Sequence, residues 1–118
     1  MSSPRDYPEY LKDMLLEAQM AQEFVRGVDY ETFVANPEKQ RAVIRCIEVI
    51  GEAARNIPKP IRQQYAQIDW QEITGMRDRL IHGYAGISLE IVWSVANEDL
   101  PILQEQIEGI LRQLDSDS

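Results

Sequence analysis

Apolar residues recur along this chain at intervals of three and four, the spacing that lines one side of an α-helix. The first stripe is Leu11, Met14, Leu15, Ala18, Ala21 and Val25. Ser3 followed by Pro4, with Asp6 in the first turn, predicts where that helix opens, because serine caps free amides and proline needs none there. Arg26-Gly27 predicts its end, and a short turn or half-helix covers Asp29 to Ala35. Asn36-Pro37-Glu38 repeats the start signal for a helix running to about Ile57. Ala42, Val43, Cys46, Ile47, Val49, Ile50, Ala53, Ala54 and Ile57 cover more than half its circumference, which places this helix at the centre of the fold. Its remaining face is a polar stripe, Arg41, Arg45, Glu48, Glu52 and Arg55, again at helical spacing.

Pro58-Lys59-Pro60 breaks the chain, since neither proline continues the preceding hydrogen-bond ladder. A short helix from Ile61 to Tyr65 comes next. Asp69-Trp70-Gln71-Glu72 has the form of a capping box. The helix it opens carries Ile73, Met76 and Leu80 inward and is expected to end near His82, with Gly83 as a left-handed terminator. Ser88 caps the last helix, whose stripe is Leu89, Val92, Trp93, Ala96, Leu100, Leu103, Ile107, Ile110, Leu111 and Leu114. Pro101 lies inside it and predicts a kink near Asn97. Residues 115–118 read as a frayed tail. No segment alternates with period two. The expected fold is all-α, one domain over residues 1–118, an antiparallel bundle of four main helices with short extra helical turns and a kinked last helix.

Length and composition agree with one ordered globular domain holding a single modest core. Met1 to Asp13 is polar and charged, unlike a signal peptide, and no apolar run approaches the roughly 18–20 residues that span a bilayer. The expected location is therefore the cytoplasm. Cys46 stands alone in an apolar helical pattern and reads as a small core residue. A net charge of −8 opposes broad, sequence-blind binding of polyanions. The charge is uneven, however. Residues 1–38 hold three basic and eight acidic side chains, residues 39–79 eight and five, and residues 80–118 one and seven. A local basic cleft on an acidic body is compatible with that distribution.

The chemistry concentrates in Gly75-Met76-Arg77-Asp78-Arg79-Leu80-Ile81-His82-Gly83-Tyr84, which contains the only histidine. One histidine with scattered carboxylates makes no recognisable metal site, and no cofactor is expected. It can serve as an acid or base, with an arginine supplying positive charge where a phosphate reacts. On a continuous helix Arg77 and His82 stand about 140° apart, whereas Asp78 and Arg79 share the His82 face. Asp78 would then hold the imidazole, and Arg77 would converge through its long stem or from a second subunit. Each residue also has an ordinary structural reading. The arginines would be solvated helix charges, His82 a helix-end cap, Tyr84 a core aromatic, and Arg45 and Glu52 part of a wet face.

The wider pattern is more specific. Ile50-Gly51-Glu52-Ala53-Ala54, Trp70 with Ile73-Thr74-Gly75-Met76-Arg77, Leu80-x-His82-x-Tyr84, and Trp93 with Asn97-x-Asp99-Leu100-Pro101 together resemble the HepT-like toxins of the HEPN domain family. The resemblance runs from about Leu11 to Leu114. It implies a cytoplasmic, homodimeric, metal-independent endoribonuclease, the toxin of a type II or VII-like toxin–antitoxin pair. Arg77 and His82 would be catalytic, with Asp78, Arg79, Arg45 and Glu52 in support. The RNA would be a tRNA or an mRNA, with no DNA and no membrane as partner. It also implies a minimal nucleotidyltransferase antitoxin that transfers AMP onto Tyr84, where the added anion would pair with Arg77 or Arg79. The alternative is a non-catalytic helical module that docks such a nucleotidyltransferase.

Overall fold

A computed structural model of the chain describes residues 6–82 and 86–117, apart from the His82 side chain. Helix α1 (Tyr7–Val25) packs most extensively on α3 (Pro37–Arg55) and then on α8 (Leu100–Ser116), so three long helices form the body. Between them lie α2 (Tyr30–Val34), α4 (Lys59–Gln64), α5 (Trp70–Thr74), α6 (Met76–Leu80) and α7 (Leu89–Ser94). Two residues of β1 (Ile81–His82) pair antiparallel with two of β2 (Gly86–Ile87). The fold is all-α apart from this small ladder. Among the described residues, no helix is long and apolar enough to cross a membrane.

The apolar stripes become the core. Leu11, Met14, Ala18 and Ala21 of α1 are fully buried against Val43, Ile47, Ile50 and Ala54 of α3 and Val95, Leu100 and Ile107 of the last helical stretch. Burying a residue such as Ile47 or Leu11 stabilises the fold by about 1.5–3 kcal/mol each. Phe33 of α2 is also fully buried and stacks at a tilt on Trp93, 5.2 Å between ring centres. Cys46 lies inside; burial, reinforced by the nearby Glu17 carboxylate, pushes its thiol up to about 11. Two helix starts behave as their sequences require. Asn36 accepts from the Lys39 amide at 3.0 Å, and Asp29 from the Thr32 amide at 2.8 Å.

Several boundaries differ from expectation. Helix α1 opens at Tyr7 with Pro8 in its first turn, so Asp6 is the flanking residue; Ser3 and Pro4 lie outside the described residues. Helix α3 stops at Arg55, two residues before Ile57, and α4 begins at Lys59, placing Pro60 in its first turn. The last helix is not continuous. A π-helical turn, Val95–Asp99, separates α7 from α8. Pro101 explains its place: without an amide it cannot bond back to Asn97, so the ladder widens one turn earlier. Helix α8 continues to Ser116, into the segment read as frayed.

Candidate functional site

The 70–82 stretch is built from short pieces. Asp69 accepts the Glu72 amide at 3.1 Å and starts α5. Glu72 does not return the bond expected of a full capping box; its carboxylate takes Arg79 instead. Gly75 then interrupts the helix, and α6 restarts for a single turn. Ile73, Met76 and Leu80 point inward as expected and anchor the segment. At Leu80 the helix ends, because the β-branched Ile81 takes an extended conformation (φ −92°, ψ 128°). The Leu80 carbonyl accepts the Ser88 amide at 2.7 Å, and the Ile81↔Ile87 and His82↔Gly86 pairs continue the ladder. Gly86 has φ +80°, a conformation glycine supplies without strain. Ser88 then caps α7 through Ile91.

This corrects the expected geometry of the motif. His82 sits on a strand, two residues beyond the end of α6, not on the same helix as Arg77. Helical spacing therefore neither pairs Asp78 with His82 nor separates Arg77 from it by a fixed angle. Gly83 as helix terminator and the position of Tyr84 lie outside the described residues.

Arg77, Asp78 and Arg79 are all exposed, and the two arginines leave α6 on opposite sides. Arg77 reaches α3, where its Nε lies 3.2 Å from Glu48 Oε2. Arg79 reaches the other way, with Nη1 2.8 Å from Glu72 Oε1 and 3.0 Å from Asp99 Oδ2. Arg79 is thus already held by two carboxylates, which leaves Arg77 as the motif cation better placed to meet a new anion. Glu48 is one helical turn from both Arg45 and Glu52, so Arg77 joins the polar stripe of α3. Further along that stripe, Arg55 Nη2 donates to the Thr74 carbonyl at 3.0 Å and ties α3 to the end of α5.

Arg45 and Glu52 line an open cleft of about 220 Å³ between α1 and α3, together with Tyr10, Asp13, Val49, Ala53 and Asn56. Sequence reasoning missed Tyr10 and Asp13. Their signal was present: they stand three apart on α1, beside the apolar stripe rather than opposite it. Among the described residues, no group of three or more His, Cys, Asp or Glu is placed to hold a metal ion.

A family model described as "Ribonuclease HepT-like" matches residues 14–110, which include both arginines, Asp78, His82, Arg45 and Glu52. The chain belongs to the HepT-like family. It is 40% identical over 113 residues to "Putative RNase TTE0752" of Caldanaerobacter subterraneus subsp. tengcongensis, covering 96% of this chain and 98% of that one. It is 41% identical over 111 residues to "Putative RNase MJ0125" of Methanocaldococcus jannaschii, covering 94% and 96%. It is 38% identical over 106 residues to "Probable ribonuclease HepT" of Thermococcus cleftensis, covering 90% and 96%. No solved structure matches the chain. The HepT-like match spans the helical body from within α1 to near the end of α8, so it concerns the whole architecture and not the motif alone.

Proposed function

We propose that this HepT-like chain is a metal-independent endoribonuclease that acts as the toxin of a toxin–antitoxin pair in the cytoplasm. The observation that carries this reading is Arg77: exposed, on the one-turn helix that leads into the motif strand, and tethered among the described residues by one ion pair, to the half-buried Glu48. Such pairs contribute about 0–1 kcal/mol, so a phosphodiester can displace Glu48 at little cost. His82 accepts the proton of a ribose 2′-hydroxyl, whose oxygen attacks the adjacent phosphorus. The P–O5′ bond breaks and the leaving 5′-oxygen takes a proton from water, giving a 2′,3′-cyclic phosphate and a 5′-hydroxyl, while the imidazolium returns its proton to solvent. Arg77 neutralises the charge that grows on the phosphate. Two-fold pairing of the chain would bring two such segments into one cleft, lined by the Arg45 and Glu52 stripe. A tRNA or an mRNA fits this chemistry equally well.

The test is cleavage of RNA by the purified chain, with end-group analysis and with EDTA present. His82→Ala and Arg77→Ala should each lose on the order of 10²–10⁴ in rate while keeping helical content. Retained cleavage in His82→Ala, or loss of wild-type activity to EDTA, would move the chemistry elsewhere.

Silencing is assigned to a nucleotidyltransferase antitoxin that adds AMP to Tyr84. The modified side chain carries an anion two residues from His82, which competes with RNA phosphate for Arg77. Co-expression with such a transferase should add adenylate mass to the peptide containing Tyr84, and Tyr84→Phe should escape silencing. A second reading, a non-catalytic docking module, draws on the acidic ends of the chain, which suit a basic partner. It predicts stable binding of the transferase with no cleavage by the free chain.

A further inference from the structure

The contacts of Arg79 set it apart from Arg77. One terminal nitrogen is shared between two carboxylates from separate parts of the chain: Glu72 in α5, and Asp99 at the end of the π-helical turn. The 2.8 Å contact with Glu72 has the length of a charge-assisted hydrogen bond, and the 3.0 Å contact with Asp99 that of an ordinary one. The element that carries Arg79 needs such support. Helix α6 is one turn long, bounded by the break at Gly75 and by the change to strand at Ile81. One turn of helix does not hold itself in water. Met76 and Leu80 fix its inner side, but burial is non-directional and leaves rotation about that contact poorly determined.

The π-helical turn bears on this directly. Such turns are rare and concentrate at functional sites. One added residue rotates the helix before it by about 100° relative to the helix after it. Asp99 is the last residue of the widened turn, so the presentation of its carboxylate depends on that turn. Asp99 and Arg79 are twenty residues apart, and their contact closes the stretch of chain that contains the β1–β2 ladder and His82.

We propose that Arg79, Glu72 and Asp99 form an ionic latch that sets the position of the β1 strand, and with it His82, against the α7–α8 junction. Arg79 is then a positioning residue rather than a contact for RNA. The cleavage arm of the test rests on the proposed RNase function; the spectroscopic arm does not. His82 is the only histidine, so its imidazole gives one set of proton signals by NMR, readable with or without RNase activity. Arg79→Ala, Asp99→Asn and Glu72→Gln should leave helical content and the thermal midpoint nearly unchanged. In Arg79→Ala and Asp99→Asn the imidazole signal should shift or broaden. Cleavage should fall by about ten- to a hundredfold in kcat, with KM changed less than about twofold, as misplacement of a reacting group requires. Arg79→Lys, whose single ammonium nitrogen can donate to both carboxylates from a shorter stem, should restore part of both. An imidazole signal unchanged in Arg79→Ala and Asp99→Asn overturns the latch. So does a loss in Arg79→Ala confined to KM, which would make Arg79 an RNA contact. If the wild-type chain cleaves no RNA, the enzyme reading fails and the imidazole signal alone decides the latch. Should Arg79→Ala not fold, the near-isosteric Asp99→Asn carries the test.

Discussion

Helix α3 and the stretch from α5 to β1 lie side by side and solve the folding problem differently. Helix α3 runs unbroken through 19 residues, buried along more than one face and packed against α1, α2, α5, α6 and α7. The neighbouring stretch changes conformation at Gly75 and again at Ile81, and its outer side is held by Arg77–Glu48, Arg79–Glu72, Arg79–Asp99 and Arg55–Thr74. Apolar burial supplies most of the stability and little directional control, whereas ion pairs supply the reverse. The motif therefore sits where small forces decide geometry, against a neighbour that provides a firm wall. Segments of low local stability are where binding and catalytic elements are commonly found.

The strongest way to break this division is to swap the damage. Ile47→Ala in α3 should cost about 2–5 kcal/mol in urea unfolding, as removal of a fully buried branched side chain does. His82→Ala should cost far less in the same measurement while removing activity. Comparable stability losses in the two variants would end the contrast.

A smaller effect is expected at the seam between the two regions. Gly51 of α3 faces the end of α5 so closely that an added Cβ would lie 3.4 Å from the Ile73 carbonyl oxygen and 3.7 Å from that of Thr74. Alanine fits in ordinary contact, but Gly51→Val should push α5 away and cost about 1–3 kcal/mol. Thermal unfolding would show it, and activity should fall with it because the α5–β1 stretch is displaced. A Gly51→Val variant with wild-type stability and activity would mean the seam is slack.

Glu48→Gln tests the looser tether. Stability should change by less than about 1 kcal/mol, because the Arg77 end of the pair is exposed to solvent. RNA binding should tighten, since Arg77 loses its competing carboxylate; weaker binding would make Glu48 an aid to the site instead of a placeholder.

The smallest effect lies far from the motif. Asp29 is held below its ordinary value by hydrogen bonding to the Thr32 side chain and then to its backbone amide. A carboxyl whose folded value is depressed adds stability above its unfolded value of about 4, and that contribution is lost as pH falls through the folded value. Asp29→Ala should therefore be slightly less stable than wild type at neutral pH, and the two should converge in strong acid. Unfolding curves collected across that range check it. A gap that persists unchanged in strong acid would assign the difference to packing.

Legibility in the sequence tracked the length of each element. The stripe of α1 names all its buried residues, and that of α3 names all of its own but Gly51 while adding the half-buried Ala42 and Val49, because nineteen residues of regular spacing average out local exceptions. The same spacing placed Ile73, Met76 and Leu80 inward correctly. It could not show that the helix between them breaks at Gly75, since a lone glycine in a helical pattern is often tolerated. Nor could two residues of strand register as an alternation. Within the site, the motif residues were legible as residue types; their partners were not. Glu48 and Asp99 lie 29 and 20 positions from the arginines they meet, separations that no local rule connects.

Periodicity, caps and prolines by themselves determined an all-α chain, its long helices and the stripe that each buries, because these come from backbone geometry repeated over many residues. Spacing also determined that Arg77 and His82 are close along the chain. Only the tertiary structure decided that His82 lies on a strand, that Arg77 turns to α3, and that Arg79 turns to the π-helical turn. Those outcomes depend on which carboxylates neighbouring helices bring within about 3 Å, and a charge attracts whatever opposite charge the packed fold delivers to it.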